Sequence, residues 1–197
     1  MKINNSKETN KEQPIVQYDG KITVIENTSQ IYNITDELLT CKILGFDTET
    51  KPSFVRGVKN KIALLQICSE KGAFLFRLNK MILHPALIRV LENESILKVG
   101  VAIRDDLKGL RKLQPFTPRG FIDLQSLAPE YGITALSLKG MAEEVLHQRI
   151  SKRQQTSNWE TLFLTKSQIV YAATDAWIAM CIYKKLTSKI STPNNFL

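Results

Sequence analysis

One seven-residue stretch, Ile43-Leu44-Gly45-Phe46-Asp47-Thr48-Glu49, constrains the chain most. Its apolar half reads as a buried strand. Side chains at i and i+2 of a strand point to one face. Asp47 and Glu49 therefore stand side by side at the rim of a core. Adjacent carboxylates repel each other and resist desolvation. A cation between them would remove both penalties, so the stretch reads as half of a divalent-metal site.

The rest of the chain alternates strand and helix signals. Ile22-Thr23-Val24 reads as a first strand after the turn at Asp19-Gly20. Ile31, Ile34 and Leu38 recur at helical spacing, predicting a helix over about 28–39. Ile62 to Cys68 is a run of strand length, and Gly72 separates it from Ala73 to Phe76, suggesting a hairpin. Leu83, Leu87, Val90 and Leu91 mark a helix, Ile96 to Val99 a short strand, and Ile103, Leu107, Leu110 and Leu113 another helix. Asp123 can cap a helix that ends near Tyr131 with Gly132 in the stop position, and Ser137 can cap the next. Thr165-Lys166-Ser167-Gln168 is a capping box opening a long last helix. Strands first and helices later predict an α/β fold, a mixed sheet flanked by helices. The expected organisation is a tail over 1–14, one domain over 15–190 and a short tail over 191–197.

The net charge is +8 over 197 residues. That suits a polyanion, either nucleic acid or an acidic membrane surface. No apolar run approaches the ~20 residues of a membrane span, and no secretory h-region precedes residue 14. Cys41, Cys68 and Cys181 are too scattered for a disulfide framework or a zinc site. The expectation is a cytoplasmic protein with no membrane partner.

Two further places could complete the metal site. Asp106 falls within the apolar arc of Ile103, Leu107, Leu110 and Leu113, whereas Asp105 points away. An inward acid at a helix start complements the dipole or meets a metal. Tyr171 and Asp175, at i and i+4, share a helix face flanked by Ala172, Ala173, Ala176 and Ala179. That pair alone could be a core-edge hydrogen bond.

Taken in order, Phe46-Asp47-Thr48-Glu49, then Val99-Gly100 through Asp105-Asp106, then Tyr171-Ala172-Ala173-Thr174-Asp175 form a specific pattern. The sequence resembles the DEDDy branch of the 3′–5′ exonucleases, in the ribonuclease-H-like superfamily. Ser137-Leu138, and Ser157-Asn158-Trp159 before Leu164-Thr165, are similar to the Werner-type exonuclease group. The sister branch has histidine where this chain has Val170. His84 and His147 lie away from all three motifs.

The resemblance implies a ribonuclease-H-like mixed sheet and hydrolysis of terminal phosphodiester bonds from the 3′ end. It implies that Asp47, Glu49, Asp106 and Asp175 hold two divalent cations, with Asp47 bridging, and that Tyr171 orients the water. An all-oxygen ligand set suits Mg²⁺ or Mn²⁺ better than Zn²⁺. Nucleic acid is the expected partner. DNA is favoured because the chain shows none of the extra helical domains of RNase D, and an RNase D-like exoribonuclease is the alternative. A catalytically silent nucleic-acid-binding module is a second alternative. Thr48 and Thr50 are candidate contacts to the terminal nucleotide. Trp159 could stack on a base or pack on the core. Lys51, Arg56, Lys59 and Lys61 in one loop, Arg104, Lys108, Arg111 and Lys112 on one helix, and Arg149, Lys152 and Arg153 before Trp159 could follow a phosphate backbone.

Overall fold

In the computed structural model, described over residues 13–188 apart from 56, 58 and 59, the stretch Ile43–Thr50 is a central strand of a six-stranded sheet. The strands are β1 (Ile22–Ile25), β2 (Ile43–Thr50), β3 (Ile62–Cys68), β4 (Ala73–Phe76), β5 (Leu97–Gly100) and β6 (Phe121–Asp123). Their order is β1-β4-β3-β2-β5-β6. β2 with β3 and β3 with β4 are antiparallel, the second pair being the expected hairpin. The other three pairings are parallel. This is the mixed sheet that the sequence predicts.

The helices are α1 (Ile31–Leu39), α2 (Pro85–Glu92), α3 (Arg104–Leu113), α4 (Leu124–Leu127), α5 (Leu138–Leu146) and α6 (Lys166–Ser188), with a 3₁₀ turn over Ala128–Tyr131. α1 and α2 pack on one face of the sheet, over Leu44, Phe46, Leu65 and Ile67. α6 covers the other face, where its small residues Ala172, Ala173 and Ala176 meet Leu64 and Cys68. Helices on both faces explain why all seven residues of β3 are buried.

The caps follow the expected chemistry. Thr165 Oγ1 accepts from Gln168 N at 3.2 Å, and Gln168 Oε1 accepts from Thr165 N at 3.0 Å, a complete capping box. Ser137 Oγ accepts from Gly140 N, and Gly132 takes the left-handed conformation that stops the 3₁₀ turn. β6 was not foreseen, being three half-buried residues beside Gly120. Of the expected tail, residues 1–12 lie outside the described residues, whereas the Pro14 carbonyl accepts from Arg149 N at 2.9 Å. The 191–197 stretch and the basic residues at 56 and 59 also lie outside them. Among the described residues no helix is long and apolar enough to cross a membrane.

Candidate active site

Alternation along β2 sends Leu44 and Phe46 to one face and Gly45, Asp47 and Glu49 toward α6. Gly45 sets how near the helix comes. A Cβ at this position would lie 1.8 Å from the Ala176 carbonyl oxygen. That close approach brings Asp175 against the strand. Asp47, Glu49 and Asp175 each offer a carboxylate oxygen, and these atoms lie within 4.8 Å of one another.

Three acids this close strongly resist ionisation. Burial, then the charges of Asp175 and Asp106, push the Asp47 carboxyl well above its usual range. Glu49 is raised to about 10 by burial and then by Asp47, Asp175 and Asp106. Asp175 is raised to about 7 by burial, against a downward pull from the Tyr171 hydrogen bond. Lys139 and Lys152 line the same cleft, but neither is among the groups that set these three pKa values. Clustered hard oxygen donors lacking an internal counter-charge fit a divalent cation.

Asp106 stands apart from this trio, in the first turn of α3, and Asp105 beside it is exposed. Thr48 joins the two regions. Its hydroxyl donates to Asp106 Oδ1, and its backbone N–H donates to Asp47 Oδ1 at 2.9 Å. Burial raises the Asp106 pKa, and the Thr48 bond opposes that shift.

Asp123 has a role that its capping signal alone does not disclose. It caps α4 through Gln125 N, and it also accepts from Ala102 N at 2.9 Å and Ile103 N at 3.2 Å. Ala102 sits at φ 57°, a left-handed conformation that alanine rarely adopts. Asp123 thus holds the turn that aims α3, and with it Asp106, at the trio.

Tyr171 lies one helical turn before Asp175. Burial, then the charges of Asp175 and Glu49, raise its phenol pKa. Its ring packs against Trp159, with centroids 6.0 Å apart. Trp159 is fully buried among Leu64, Leu75 and Ala172. As a substrate contact it is therefore corrected: no face remains on which a base could stack, and the indole supports the tyrosine. Thr50 is exposed where β2 ends, at the mouth of a groove of about 700 Å³ bordered by Lys51, Lys61, Lys108 and Lys112. A second cleft, of about 510 Å³, contains Asp47, Glu49, Tyr171 and Asp175.

A model of the family described as 3'-5' exonuclease matches residues 22–191, so all five acid and tyrosine positions fall inside it. The chain belongs to the 3′–5′ exonuclease family. The bifunctional 3'-5' exonuclease/ATP-dependent helicase WRN of Mus musculus is 32% identical over 183 residues, covering 88% of this chain and 13% of its own length. Exonuclease 3'-5' domain-containing protein 2 of Drosophila melanogaster is 36% identical over 161 residues, covering 80% of this chain and 27% of its own. The chain thus spans only a small part of either relative.

Solved structures show the same ribonuclease-H-like fold. The Aedes aegypti Nibbler EXO domain superposes with a TM-score of 0.79 at 21% identity, over 89% of this chain and 94% of that one. Escherichia coli RNase D, an exoribonuclease involved in structured RNA processing, gives 0.77 at 23% identity, over 86% of this chain and 45% of that one. The chain carries the fold and the domain of a family of phosphodiester hydrolases.

Proposed function

We propose that this chain removes nucleotides from the 3′ end of a DNA strand, releasing nucleoside 5′-monophosphates. The observation that carries this reading is the convergence of Asp47, Glu49 and Asp175, within 4.8 Å, beside Tyr171 and linked to Asp106 through Thr48. Asp47, Glu49, Asp175 and Asp106 would hold two divalent cations, Mg²⁺ or Mn²⁺. Once bound, such ions neutralise phosphate charge, lower the pKa of water and stabilise the leaving oxygen. Water adds to the terminal phosphorus, the bond to the 3′ oxygen breaks, and the shortened strand keeps a 3′-hydroxyl.

Tyr171 keeps its phenol proton at neutral pH, because burial and neighbouring acids hold its pKa above the ordinary value. It therefore orients the attacking water by hydrogen bonding instead of acting as a base. The cleft beside Tyr171 takes the terminal nucleotide, and Thr48 and Thr50 line its approach. The lysine-bordered groove next to Asp106 receives the preceding phosphates.

The DNA reading rests on the resemblance of the motif set to the Werner-type exonuclease group. Relatives above 30% identity, WRN among them, carry names that specify a 3'-5' exonuclease and no sugar, and Escherichia coli RNase D, an exoribonuclease, is under 25% identical and speaks for the fold alone. The test is digestion of 5′-labelled deoxy- and ribo-oligonucleotides, single-stranded and recessed, with Mg²⁺, Mn²⁺ or chelator. A ladder shortening from the 3′ end of the deoxy strand, abolished by chelator, is expected. Shortening of the ribo strand alone makes the enzyme an exoribonuclease. No shortening of either strand overturns the assignment.

A further inference from the structure

The buried strand β3 carries one residue that its apolar setting does not explain. Gln66 is fully buried, and among the described residues neither Nε2 nor Oε1 has a hydrogen-bond partner. A buried polar group left unpaired bears its full desolvation penalty with nothing to offset it. Leu64 and Ile67 show that aliphatic side chains fit this strand well. An amide kept here at such a cost calls for a partner that becomes available in another state of the protein.

The sheet register says where that partner is. Gln66 lies directly opposite Asp47 in the antiparallel β2–β3 pair. Residues so paired project to the same face, with Cβ atoms about 4.5–5.5 Å apart. Its neighbour on β4 is Leu75, which is apolar, and the nearby α6 side chains are the alanines Ala172, Ala173 and Ala176. The flanking cross-strand pairs are Gly45 with Cys68 and Glu49 with Leu64. Among its directly paired neighbours, Asp47 alone offers a side-chain acceptor.

We propose that Gln66 is a positioning residue of the carboxylate site, its amide N–H donating to the Asp47 carboxylate when that carboxylate holds a divalent cation. The inference rests on the cation-binding reading above. An ion draws one Asp47 oxygen toward itself, and Thr48 N already occupies Oδ1. A donor from β3 fixes the rotation of the carboxylate from the other side. Outer donors of this kind orient metal-binding side chains, and losing one typically weakens metal affinity by about 10–100-fold.

The test combines two readouts that move in opposite directions. Gln66→Met and Gln66→Leu remove the amide and keep an apolar side chain of similar size. Calorimetric titration of the full chain with Mn²⁺ gives the affinity, and thermal unfolding in chelator gives the stability of the metal-free protein. The expected result is Mn²⁺ binding weakened about 10–100-fold, with an unfolding midpoint unchanged or raised. Binding within twofold of the unsubstituted protein overturns the inference, as does a lower midpoint with unchanged binding, which would mark a packing role. Failure of the unsubstituted chain to bind Mn²⁺ is a separate outcome. It overturns the cation reading and this inference with it.

Discussion

Two groups of ionisable side chains are withdrawn from solvent on this sheet, Arg77 fully and the site acids in part, and they are handled in opposite ways. Just past β4, Arg77 is fully buried, yet its guanidinium is surrounded by acceptors. It donates to Glu26 Oε1 at 3.0 Å, to Asn79 Oδ1 at 3.4 Å, to the Leu162 carbonyl at 3.3 Å and to the Thr161 carbonyl. Lys80 adds a second cation on Glu26 at 2.8 Å. Asp47, Glu49 and Asp175 are all acids, and none forms an ion pair among the described residues. Burial penalises both groups. The arginine centre is completed by the chain itself and ties down the loop that carries Trp159. The carboxylate centre has no such internal partner, which is what separates a candidate site from a strut.

The sharpest way to break this contrast is to neutralise one residue on each side. Asp47→Asn is expected to lower hydrolysis on the order of 10³-fold or more, while the metal-free protein melts at the same temperature or higher, because one carboxyl that folding forces to stay protonated is gone. Steady-state kinetics and calorimetry check the two halves. Arg77→Ala should do the reverse. It leaves the Thr161 and Leu162 carbonyls unpaired and is expected to cost about 3 kcal/mol in denaturant unfolding. An Arg77→Ala protein as stable as the unsubstituted chain would dissolve the contrast.

A smaller effect is expected at the boundary between the two regions. Trp159 sits on the loop tied to Arg77 and packs against Tyr171. Tyr171→Phe keeps that packing and removes the hydroxyl. Turnover should fall by roughly 10²-fold, with Mn²⁺ affinity unchanged. A loss of affinity would move the tyrosine from orienting water to holding the cation site together.

The smallest effect is one of pH, and the two regions should give slopes of opposite sign. The site acids bind protons more tightly folded than unfolded. Their contribution is complete below the unfolded carboxylate pKa and is lost as pH rises past about 7 for Asp175 and toward about 10 for Glu49. Glu26 is held below its usual range, by the Lys80 hydrogen bond above all, so its contribution is lost as pH falls. The metal-free melting temperature should therefore drop by a few degrees, ~5 °C, between pH 6 and 9. Mg²⁺ should suppress the drop. A flat profile without Mg²⁺ would mean that the acids are already compensated.

Much of this arrangement is legible in the sequence because it is written locally. The i, i+2 acids of β2, the inward phase of Asp106, the capping box at Thr165 and the Tyr171–Asp175 spacing depend on strand or helix periodicity alone. What stays hidden depends on partners far along the chain. Asp123 reads as a helix cap, yet its hydrogen bonds to Ala102 and Ile103 span about twenty positions. Trp159 shows its burial only once β3, β4 and α6 are assembled around it. Gln66 looks like a single polar interruption of an apolar run until the register sets it across from Asp47. β6 has too few residues for any periodicity to mark.

If the proposed cations bind, the contact between Gly45 and Ala176 would act as a gauge for ion size. The strand and α6 stand so near that a Cβ on Gly45 would lie 1.8 Å from the Ala176 carbonyl oxygen. Oxygen distances for Mg²⁺ and Ca²⁺ differ by only about 0.3–0.5 Å. A helix seated by direct backbone contact cannot drift outward or inward by such an amount without losing its packing. The residue with no side chain would thus set the calibre of the site, and through it which cations seat well and which are merely held.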